Sequence, residues 1–143
     1  MTALLQVPAH GTLVSIALAL LRLVVGLAFV LHGWPKIQNP LGWMGPQSSV
    51  PAILQALAAL SEFGGGLAWI AGLLVPAASA GIACTMAFAI GRHVLVKHDP
   101  FVDPGGSSWE LAAAYLCIAL LLLCAGPGTL SVDRLLFGPR PAS

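Results

Sequence analysis

The chain has 143 residues, 58% of them hydrophobic and 8% charged, with a formal net charge of +1. An average soluble domain is roughly a quarter charged, so this composition, with a mean hydropathy of +0.93, excludes an ordinary soluble domain and suits lipid. The near-neutral charge offers no electrostatic footprint for nucleic acid or for a strongly anionic partner.

A spanning helix needs roughly 20 mostly apolar residues, and four stretches qualify, at about 13 to 34, 52 to 75, 76 to 96 and 109 to 125. The expected fold is all-α: an integral membrane four-helix bundle, read as one domain over residues 1–143. The first stretch is not read as a signal peptide, because Met1 to Thr12 carries no Lys or Arg and Arg22 interrupts the apolar run "LLRLVVGLAF". After it, Pro35, Asn39, Pro40, Gly42, Gly45, Pro46 and Pro51 rule out a regular helix throughout, and Trp34 and Trp43 suit the headgroup layer. "GLLVPAA" predicts a tight turn between the second and third spans, with Pro76 in the first turn of the third.

The segment "KHDPFVDPGGSSWE" is a loop rich in turn formers, with Ser107 or Ser108 as the expected N-cap of the fourth span. Beyond that span, "GPG" ends the helix and "LSVDRLLFG" predicts a short interfacial turn with Leu135, Leu136 and Phe137 facing the membrane. Orientation stays open: Arg134 and Arg140 sit on one face, Lys36, Arg92 and Lys97 on the other. Cys84, Cys117 and Cys124 fall inside predicted spans without metal or redox spacing and are expected to be small packing groups.

Two charges stand deep in the apolar spans. Arg22 lies about nine residues into the first and Glu62, in "LSEFGGGLAW", about ten into the second from the opposite side, so at 1.5 Å per residue both are expected near the midplane. Each costs roughly 2.5–3.5 kcal/mol to insert alone, and pairing Arg22 with Glu62 is the simplest relief. Either the pair fixes helix register, or Glu62 ligates a substrate or carries a proton. Gly64, Gly65 and Gly66 read first as helix packing, with a flat ligand as the rarer option. His32, Lys36, Arg92, His93 and Glu110 cluster at the end bearing the longer loops, where Arg92 and Glu110 are matched in depth. Together they would ring a polar pocket floored by Arg22 and Glu62, although Lys36 and Lys97 have the simpler explanation of snorkelling. His32 and His93 satisfy bis-His haem ligation only loosely, no flavin, haem or metal motif is present, and Asp-Pro turns explain Asp99 and Asp103 without a metal.

Taken in order, Arg22, then "HGWPK" with His32, Gly33 and Lys36, then Glu62 with its glycines, then "GPGTLSVD", resemble the DoxX family of small four-helix membrane proteins over about residues 18 to 138. That resemblance implies a multi-pass bacterial inner-membrane protein, and a subunit of a quinone-linked oxidoreductase, including the thiosulfate:quinone type, or a membrane partner of a redox-defence enzyme. It implies functional positions at Arg22, His32, Lys36, Glu62 and Asp133; "GGSSWE" departs from the family's loop in spacing Gly106 from Glu110.

The resulting expectation is a membrane subunit that binds quinone or supports electron transfer to it. Glu62 and Arg22 are its catalytic candidates, and His32, Lys36, Arg92 and Glu110 line the quinone or small-ligand site. Electrons come from a partner subunit, and self-association stays open. The competing expectation is a non-catalytic anchor or assembly partner of a redox enzyme; a small-solute carrier ranks below both for want of inverted repeats.

Overall fold

The computed structural model describes residues 6–139, so Arg140 lies outside the described residues. Among the described residues five helices follow one another: α1 (Thr12–Ile37), α2 (Ala52–Ala71), α3 (Val75–Arg92, continued by a π-helical turn His93–Lys97), α4 (Glu110–Ala125) and the short α5 (Val132–Phe137). α1, α2 and α3 with its π turn are long and apolar enough to cross a membrane; α4 is apolar but has only 16 residues. Half-exposed leucines and valines such as Leu20, Val24, Leu57, Leu60 and Leu121 cover the outside, as expected where the surrounding solvent is acyl chain.

The element limits differ from expectation in three places. α1 runs past Pro35 to Ile37; the missing proline N–H removes one intrahelical bond near the helix end, where little helix remains to be broken. α2 stops at Ala71, because Gly72 takes a left-handed cap at φ 69°. Trp109, not Ser107 or Ser108, is the N-cap of α4; it makes no side-chain cap bond, and the Glu110 N–H donates instead to Phe101 O at 3.0 Å. Pro76 does sit in the first turn of α3.

Glycines set the α1/α2 register. A Cβ on Gly66 would lie 2.7 Å from Gly26 O, and one on Gly33 would lie 2.5 Å from Phe63 N, so the two backbones are in contact at both levels. Gly65 similarly admits Ile82 of α3. Around this seam Leu18, Val25, Phe29, Trp69, Ile82, Met86, Ala119 and Leu122 form the buried core, and the Trp69 indole N–H donates to Ser79 Oγ at 3.0 Å. Cys84, Cys117 and Cys124 are exposed on the helix surfaces, not packed in the core. Their small apolar character suits contact with lipid as well as it suits a core.

The α2–α3 turn is recessed, and the chain after α4 folds over it. Asp133, fully buried, accepts the Leu74 N–H at 2.6 Å and the Val75 N–H at 2.9 Å, while its own N–H donates to Gly72 O at 2.9 Å. This carboxylate caps the start of α3 and holds Leu74 in its left-handed conformation, φ 49°. Arg22 donates to Trp69 O at 3.2 Å and to Leu130 O at 2.5 Å. A cation thus meets the carbonyl end of α2 and an anion the amide end of α3, each the favourable sign for its helix terminus.

Candidate functional site

Arg22 and Glu62 do not pair. Glu62 accepts Lys36 Nζ at 2.6 Å and 2.5 Å through its two oxygens, and Lys36 stands fourteen residues beyond Arg22 on the same helix, about 21 Å along the axis. Counting depth from each helix's own end misplaces both residues, because the first ten residues of α1 reach past the recessed end of α2. The Arg22 charge is answered electrostatically by Asp133.

The Lys36–Glu62 pair is the polar centre of the end bearing the long loops. The Glu62 side chain is 4% exposed, whereas that of Lys36 keeps 23% and lies 4.6 Å from the Trp43 ring centroid. The loop is pinned across this end by Gln55, a buried residue that sequence reasoning passed over. Its Oε1 accepts the Met44 N–H at 3.1 Å, its Nε2 donates to Val50 O at 2.9 Å, and its backbone carbonyl accepts the Trp43 indole at 2.9 Å. An amide opening an otherwise apolar helix was the available signal.

Two cavities flank the pair. The larger, about 580 Å³, lies between α2 and α3 and is lined by Leu54, Leu57, Ser61, Thr85, Phe88 and Arg92 among others. The smaller, about 240 Å³, lies between α1, α3 and α4, with Phe29, His32, Met86, Leu111 and Tyr115 in its walls. Lys36, Glu62, Ala89 and His93 border both. In the smaller cavity aromatic rings dominate: Phe29 and Tyr115 lie 4.9 Å apart and His32 and Tyr115 6.5 Å apart, centroid to centroid.

Of the residues expected at the site, the structure therefore brings together His32, Lys36 and Glu62. Arg92 borders only the larger cavity, and Glu110, exposed at the outer start of α4, borders neither and forms no ion pair with Arg92. Similar depth did not suffice, since Arg92 faces the α2 side of α3 while α4 packs elsewhere on that helix. Arg22 is removed to the opposite end of the bundle.

His93, which borders both cavities, is bonded through Nδ1 to Asp99 Oδ2 at 2.7 Å, and Asp99 also accepts Ser107 Oγ at 2.8 Å. Asp99 is thus a loop organiser as well as a turn residue. The hydrogen bond with His93 first, and that with Ser107 second, hold its carboxyl below its ordinary value. A lowered folded pKa contributes stability that is present above the unfolded value, near 3.8, and is lost as pH falls through the folded value. Wild type is accordingly expected to unfold at a higher temperature than Asp99→Asn at pH 6, with the gap closing below about pH 4. Thermal unfolding of the two proteins in detergent across that range checks this.

Helices sheathed in apolar side chains, a buried ion pair and two cavities beside it define a small multi-pass membrane protein with an intramembrane polar site. The chain belongs to the DoxX family, whose model matches residues 17–98, a span that includes Arg22, His32, Lys36, Glu62 and Arg92. It is 32% identical over 124 residues to the inner membrane protein YqjF of Escherichia coli, covering 80% of this chain and 88% of that one. It is 31% identical over 122 residues to an uncharacterized protein of Haemophilus influenzae, covering 84% of this chain and 90% of that one. No solved structure matches it. The family, the inner-membrane relative and the apolar helices make the chain a multi-pass inner-membrane protein.

Proposed function

We propose that the chain is the membrane subunit of a quinone-linked oxidoreductase complex and binds the quinone ring in the smaller cavity. The observation that carries this reading is an aromatic-walled space with the Lys36–Glu62 pair as one side. About 240 Å³ suits a ring headgroup; a whole drug-sized ligand takes roughly 300–1,000 Å³. Phe29 and Tyr115 offer flat apolar surface. Lys36 and His32 offer donors to the quinone carbonyls, and Glu62 is a proton carrier beside them.

Reduction of a quinone to a quinol takes two electrons and two protons. In this reading a redox cofactor on a partner protein delivers the electrons, and Lys36 and Glu62 pass protons that the loop face replaces. The anchoring alternative draws on a different observation, the Arg22 and Asp133 contacts, which serve the fold alone; Arg22 has no catalytic part in the present reading.

The test is the quinone content of protein purified in mild detergent, by solvent extraction and chromatography, for wild type and Glu62→Gln. The expected result is near one quinone per chain in wild type and at least a tenfold drop in the variant, about 1.4 kcal/mol. No quinone in wild type, with both proteins folded, leaves the anchoring role.

A further inference from the structure

The larger cavity has features that a neutral quinone ring does not use. Its lining includes Lys36, held deep in the groove by Glu62, and Arg92 and Lys97 toward the far end of α3. Glu62 is already taken by Lys36, and Asp99, which feels the charge of Lys97, is itself bonded to His93 and Ser107. Three cations face two carboxylates, and among the described residues no ion pair includes Arg92. With Lys36 and Glu62 cancelling, the Arg92 end of the groove therefore carries one unmatched positive charge.

The shape below this end is that of a channel for a chain. Its walls are Leu54, Leu57 and Ala58 of α2 with Cys84, Thr85 and Phe88 of α3. Leu54, Leu57 and Phe88 are about half exposed, so the groove opens sideways to the surrounding lipid. It closes where the helices converge: Gly81 stands against Ser61, and a Cβ on Gly65 would lie 3.0 Å from Ile82. From Arg92 to Gly81 is eleven residues, about 16 Å of helix, close to half of the roughly 30 Å hydrocarbon core. That is the depth of one leaflet.

We infer that the groove between α2 and α3 holds one acyl chain of an anionic phospholipid from the leaflet on the long-loop side, with its phosphate at Arg92 and Lys97. A lipid satisfies three features at once: an apolar channel one leaflet deep, a lateral opening, and a surplus of positive charge at headgroup level. Basic residues at that level attract anionic lipid by about fivefold each. A free anion would have no use for the channel, and a zwitterionic lipid would leave the surplus charge unanswered. The inference is independent of the quinone reading, since the Lys36–Glu62 pair separates the two cavities and either site can fail alone.

The experiment reconstitutes the full chain into nanodiscs of equal parts phosphatidylglycerol and phosphatidylcholine with identical acyl chains. Native mass spectrometry then identifies the lipids retained after release. The expected result is one retained phosphatidylglycerol per wild-type chain, favoured about twenty-five-fold over phosphatidylcholine. The preference should be lost in Arg92→Gln/Lys97→Gln and kept in Arg92→Lys, with far-ultraviolet circular dichroism and gel filtration establishing that each variant is folded. Should the double variant fail to fold, Lys97→Gln alone is expected to weaken the preference about fivefold. Equal retention of the two lipids by wild type, an unchanged preference in the folded variants, or displacement of the lipid by millimolar inorganic phosphate would overturn the assignment.

Discussion

Asp133→Ala is expected to lower stability by about 3–5 kcal/mol, the range for breaking a buried charged contact by removing one partner. Three losses coincide. The Leu74 and Val75 amides lose their acceptor in a buried turn, α3 loses the anion at its amide end, and Arg22, 2% exposed, loses its countercharge. Leu74 also loses the bond that holds its left-handed backbone, so the turn itself should loosen. Asp133→Asn, which retains one good acceptor and no charge, should fall between variant and wild type. Denaturant titration in mild detergent, followed by tryptophan fluorescence, measures the effect. A loss below about 1 kcal/mol, the size of an exposed ion pair, would mean that the segment after α4 is not what closes this end of the bundle.

Lys36→Met is expected to cost about 3 kcal/mol, the low end of the same range, because the Lys36 side chain keeps 23% of its surface exposed while Glu62 keeps 4%. The variant strands a carboxylate in the core. Lys36→Met/Glu62→Met removes both charges and should recover most of that stability, since a buried pair replaced by apolar groups is often neutral or stabilising. The double variant separates the two roles of the pair. If the pair only registers α1 against α2, the double variant is simply a sound protein, whereas in the proposed function it is stable and empty of quinone. Thermal unfolding and quinone extraction on the same preparations read both. Full quinone content in the double variant would remove Lys36 and Glu62 from the binding site.

The helices were legible in the sequence because each apolar run is bounded by glycine, proline or charge, and that pattern needs no partner to be read. Pairing across helices was not. Arg22 and Glu62 each sit near the middle of an apolar run, and the simplest geometry sets them face to face. What decides otherwise is the register of α1 on α2, fixed by which glycine meets which neighbour: Gly26 with Gly66, Gly33 with Phe63. A sequence shows the glycines but not their matches. The true partner of Glu62 was hidden because Lys36, at the end of the first helix, had the simpler explanation of snorkelling to the headgroups. Asp133 stood in plain view in "GPGTLSVD", yet only the recessed α2–α3 turn gives it amides to cap. The cluster at the long-loop end was legible in outline, since His32, Lys36 and Glu62 do meet around one cavity. Glu110 fell outside because depth along a helix says nothing about which way around it a side chain points.

In the proposed function a quinone ring lies against the Lys36–Glu62 pair from the side of Phe29, His32 and Tyr115. Photolabelling of the detergent-purified chain with an azidoquinone, followed by peptide mapping, locates that ring. Label confined to the cavity walls, residues 29–36 of α1, 86–93 at the end of α3 and 111–115 of α4, and suppressed by excess unlabelled quinone, is the predicted result. Label spread over lipid-facing helix surfaces, or unaffected by competitor, would contradict it.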